Sequence, residues 1–63
     1  MSDADKLNAF RTLASNFDMK AKAWFESFQA AEAEGNEKKA ARCFGRYIGL
    51  TQSARDIRDI LNS

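Results

Sequence analysis

Histidine and proline are absent from this sequence, cysteine occurs once, and no apolar run approaches the ~18 residues of a membrane-spanning helix. Each absence removes a class of protein. Without histidine, the commonest acid–base group and metal ligand is missing. One cysteine, Cys43, allows no intramolecular disulfide, and with no histidine beside it a zinc site is not expected. No metal and no cofactor is expected. The segment EAEGNEKK, residues 32–39, has one glycine, and its lysines lack the spacing of a phosphate-binding loop. Asp56 and Asp59 alternate with Arg55 and Arg58 in the manner of a solvated helix face. Catalysis is therefore not expected. The polar start, MSDADK, carries no signal-peptide pattern, and a single free cysteine fits a reducing cytoplasm.

What remains is rich in helix formers. A chain of 63 residues is one domain at most, and 44% apolar content argues against disorder. A chain so short buries only about 60% of its unfolded surface, so it needs close packing or self-association. The one strong turn signal is Gly35-Asn36: glycine suits a left-handed helix end, and asparagine caps the next helix. The spacing predicts a helix over about 4–34 and another over about 37–61.

Both segments carry heptad stripes. The first runs Leu7, Phe10, Ala14, Phe17, Ala21, Trp24, Phe28 and Ala31. The second runs Ala40, Cys43, Tyr47, Leu50, Ala54, Ile57 and Leu61. Folded at 35–36 as an antiparallel hairpin, facing residues have numbers that sum to about 71. Ala31 then meets Ala40, Phe28 meets Cys43, Trp24 meets Tyr47, Ala21 meets Leu50 and Phe17 meets Ala54. Most layers set a large residue on a small one, which fills a core without strain. The expected fold is all-α: an antiparallel helical hairpin that pairs into a four-helix bundle. Ser15 and Asp18 have capping-box spacing, so a separate short N-terminal helix is the alternative for the leading segment.

Residues 21–50 resemble one tetratricopeptide repeat. Trp24 stands where that family has an aromatic, Gly35-Asn36 at its turn, Ala40 and Phe44 early in its second helix, and Leu50 at its close. Ser27-Phe28 replaces the leucine-glycine pair, Tyr47 replaces a small residue, and the closing proline is missing. The resemblance implies a helical-hairpin module of the kind used to bind proteins. In length, hairpin layout and alternating core layers the chain is also similar to Rop-type helical hairpins, which implies a dimeric bundle able to dock RNA.

Several large apolar residues fall off the stripes: Leu13, Met19, Phe25, Phe44, Ile48 and Ile60. A second hairpin, as a homodimer, would cover some of them. Gly45 and Gly49 lie one turn apart in mid-helix, where each costs roughly 1 kcal/mol relative to alanine; close approach of another helix would offset that. The expected protein-interaction surface is Phe25, Arg42, Phe44, Gly45, Arg46, Ile48 and Gly49, with a partner of unknown identity. Charge is uneven. Residues 1–35 hold four Lys/Arg against six Asp/Glu, and residues 36–63 hold six against three. Lys38, Lys39, Arg42 and Arg46 form a basic row whose first expected partners are Glu26, Glu32 and Glu34. Phosphate binding by the same four residues is the nucleic-acid alternative, weakened by a net charge of only +1. No membrane partner is expected.

Overall fold

The computed structural model describes residues 2–62. Two helices, α1 (Asp3–Ala33) and α2 (Glu37–Leu61), pack against each other as an antiparallel hairpin. The result is a rod measuring 49 × 16 × 12 Å. No helix among the described residues is long and apolar enough to cross a membrane.

Each helix begins where a side chain satisfies a backbone donor. The Ser2 hydroxyl accepts from the Asp5 N–H at 3.2 Å, and Asp3 and Asp5 place negative charge at the positive end of the helix dipole. At α2, Asn36 Oδ1 accepts from the Lys39 N–H at 3.1 Å. Between them, Gly35 takes φ +76°. The Asn36 N–H donates to the Ala31 carbonyl at 2.9 Å, and the Gly35 N–H donates to the Glu32 carbonyl at 3.0 Å. This is a Schellman closure, which needs a residue free to enter the left-handed region.

α1 runs unbroken through Ser15–Asp18, so the separate leading helix does not form. Capping by Ser15 would require it to leave helical geometry, and nothing nearby breaks the helix. Asp18 bonds across the hairpin to Arg58 instead.

Among the described residues six are buried: Ala14, Ala21, Ala31, Ala40, Cys43 and Ala54. All lie on the heptad stripes. None of the six is large, and no large side chain among the described residues is fully buried. Small residues on both helices let the backbones approach closely, and the bulky stripe residues then splay toward the margins. Tyr47 finds its ring contacts in Phe25, at 4.9 Å, and Phe44, at 5.9 Å, rather than closing a layer on Trp24. Trp24 lies under the Arg46 guanidinium, 5.6 Å from the ring centroid. A seam set by alanine has no room for two large rings in one layer.

Two substitutions test this account. Gly35→Ala forces an L residue to positive φ and is expected to destabilise the hairpin by about 1–2 kcal/mol. Ala14→Leu drives a large side chain into the closed seam, at a cost of about 1–3 kcal/mol. Urea titration monitored by helical circular dichroism checks both: a wild-type midpoint for Gly35→Ala would contradict the left-handed turn, and one for Ala14→Leu the close-packed seam.

Candidate functional site

Residues seven apart share one side of a helix, so α2 presents two edges flanking its seam. Phe44, Thr51 and Arg58 form one, and Lys39, Arg46, Ser53 and Ile60 form the other. Contacts with α1 place them on opposite sides of the hairpin.

On the first edge, four aromatic rings close a cluster across the helices. Phe28 and Phe44 meet edge to face at 5.0 Å and 88°. Phe25 contacts Phe28 at 5.7 Å and Tyr47 at 4.9 Å, and Phe44 and Tyr47 complete the circuit. Such tilted and edge-to-face pairs each contribute about 0.5–1.5 kcal/mol beyond the area they bury. Phe25 and Phe44 were expected to be left over for a partner. They are instead half-buried in the hairpin itself. In an antiparallel pair with a narrow seam the flanking positions face each other, so side chains beside the stripe meet across it. Ile48, one turn beyond Phe44, stays 41% exposed and caps this edge. Thr51 is held in the same row by its hydroxyl, which donates to the Tyr47 carbonyl at 2.8 Å. Further along, Arg58 bonds the Asp18 carboxylate.

On the second edge, Arg42, Gly45, Arg46, Gly49, Leu50 and Ser53 line a shallow groove of about 470 Å³. A Cβ added at Gly45 or Gly49 would meet no atom within 4 Å, so packing inside the hairpin demands glycine at neither position. Toward the open end of the rod the same edge becomes greasy. Leu7, Phe10, Ile57, Ile60 and Leu61, with Lys6 and Asp3 at the rim, line a groove of about 510 Å³. Among the described residues, four of the six exposed large apolar side chains, Leu7, Phe10, Leu13 and Ile60, belong to this half of the rod; Met19 and Ile48 are the others. The open-end groove was not anticipated. Leu7, Phe10, Ile57 and Leu61 lie on the heptad stripes, but the hairpin alone cannot close over them.

The predicted interaction surface is thus divided by the fold. Phe25, Phe44 and Ile48 lie on the aromatic edge, while Arg42, Gly45, Arg46 and Gly49 lie by the glycine groove. The ion pairs expected between the basic row and Glu26, Glu32 and Glu34 do not form: among the described residues the one ion pair is Asp18–Arg58. Lys38 and Arg42 are exposed, and Arg46 turns to Trp24. Among the described residues no group of three metal-ligating side chains comes together, and Cys43 is a buried free thiol. No known protein family, curated protein or solved structure matches this chain.

The Arg58 guanidinium holds the Asp18 carboxyl below its ordinary value of 3.8, chiefly through their hydrogen bond. A carboxylate whose folded pKa is depressed contributes stability above the unfolded pKa, and that contribution is lost as pH falls through the lowered value. Both groups are well exposed, so the effect is small. Asp18→Asn is expected to lower the thermal midpoint slightly at pH 7 and to leave it unchanged once acid has protonated Asp18. Melting curves across pH 2–7 check this. An equal loss at both extremes would show that Asp18 acts otherwise than through its charge.

Proposed function

We propose that this protein is a small non-enzymatic interaction module, a regulator or accessory protein of the phage or plasmid type. It binds a larger protein through an apolar, arginine-flanked helix face, blocking a site or bridging two chains, and it pairs with a second copy of itself as a four-helix bundle. The observation that carries this reading is that among the described residues no large side chain is fully buried, and Phe10, Met19 and Ile60 are more than half exposed. Folding alone leaves unused much of the hydrophobic free energy these residues can supply, and association recovers it.

Of the two edges, the aromatic one suits a protein partner. Its rings are held in place by one another, so they present a rigid surface at little further entropic cost. Ile48 projects from it, and Arg55 continues the row. The complementary partner is an apolar pocket with an acidic rim, the helix-in-groove mode of recognition. A second reading, a Rop-like nucleic-acid-binding dimer, draws support from Lys38, Lys39 and Arg42, which form no ion pair among the described residues.

Ile48→Asp is expected to abolish partner capture from native extract while helicity and melting temperature persist. Met19→Asp, at a more exposed apolar position on the outer side of α1, serves as control and should capture normally. Equal behaviour of the two variants would remove the aromatic edge from consideration. Phe44→Asp should instead melt the hairpin. For the nucleic-acid reading, retention on RNA must fall steeply between 50 and 200 mM salt, by on the order of tenfold per one to two phosphates contacted.

A further inference from the structure

The reading above includes a second copy; the geometry assigns it a face and a direction. Area comes first. A folded monomer of 7.1 kDa is expected to expose about 4,100 Å². The hairpin exposes 4876 Å². The surplus, roughly 800 Å², is what each partner contributes to a standard protein interface.

The distribution of size along one face comes second. Ile60, Ser53 and Arg46 follow one another at seven-residue intervals, so the open-end groove and the glycine groove lie along the same edge of α2. That face is bulky and apolar at one end, with Leu7, Phe10 and Ile60. At its middle it is bare, with Gly45 and Gly49, and there a facing helix can approach.

Charge comes third. Arg42 and Asp56 lie seven residues to either side of Gly49, on the same line of the helix, and both are exposed. Gly49 is itself the central residue of α2, Glu37–Leu61. A two-fold axis through Gly49, perpendicular to the helix, sets Arg42 of each copy opposite Asp56 of the other. It sets Gly45 opposite Ser53 and overlaps the two helices along their full length. We propose that the protein forms an isologous dimer in which the two α2 helices cross antiparallel at Gly49, over the glycine groove. The aromatic edge, on the opposite side of each hairpin, stays free for the protein partner. The glycines then admit the facing backbone, which accounts for residues the hairpin's own packing does not require.

Charge exchange tests this pairing. By sedimentation equilibrium the wild type should have twice the chain mass, 7.1 kDa. Each Arg42–Asp56 pair occurs twice in the dimer. Arg42→Asp replaces two attractions by two repulsions and should weaken dimerisation about tenfold or more. Asp56→Arg should do the same, and the two changes together should restore the wild-type constant. Gly49→Cys, on the axis, should give a disulfide-linked dimer under mild oxidation, whereas Ile48→Cys should not. A wild type that is monomeric at all concentrations overturns the proposal, yet leaves capture through Ile48 intact. Failure of the double variant to rescue, together with no cross-link at Gly49, overturns the crossing at Gly49. Dissociation of the dimer by Ile48→Asp moves the second copy to the aromatic edge and overturns it as well.

Discussion

Everything in this molecule follows from the width of one seam. Ala14, Ala21, Ala31, Ala40, Cys43 and Ala54 are the residues that the hairpin buries. Their small side chains draw α1 and α2 together, and the close approach expels larger ones to the margins. Six side chains of this size, at about 0.8 kcal/mol per buried carbon, give only a few kcal/mol. That is too little to hold two long helices against the conformational entropy of ordering them. The margins must contribute, and they differ on the two sides: one is packed with rings, the other has a single cation–π contact and an exposed apolar groove.

On the ring-packed side, Phe25, Phe28, Phe44 and Tyr47 couple the helices near the turn, and Asp18–Arg58 couples them toward the open end. On the other side one cation over one indole ring, Arg46 on Trp24, is the corresponding link, worth about 0.5–1 kcal/mol at an exposed site. The hairpin is therefore better fastened along one flank than along the other. A partner that covers the weaker flank stabilises the protomer as well as binding it.

The hairpin itself was legible in the sequence, because its signals are local or periodic. Gly35 and Asn36 mark the turn by backbone conformation and capping, and the stripes place every buried residue on the seam. The division of the large side chains was not legible. A heptad pattern states which residues point toward the other helix; it does not state how far apart the helices sit. Trp24 and Tyr47 share a layer at a wide spacing, but at the spacing that alanine imposes they part to opposite flanks. By the same logic Phe25 and Phe44, read as surplus beside the stripe, are brought face to face. Nor was the open-end groove legible: Leu7, Phe10, Ile57 and Leu61 have stripe spacing, yet near the end of the rod no following layer closes over them.

Cys43 occupies the seam nearly two turns into α2 and is 3% exposed. Its sulfur can be reached by a solvent-borne oxidant or alkylating reagent only after the two rods part near the turn. The thiol therefore keeps time for the hinge: how fast it reacts measures how often the hairpin opens. An interaction that clamps either flank slows that clock without touching the sulfur.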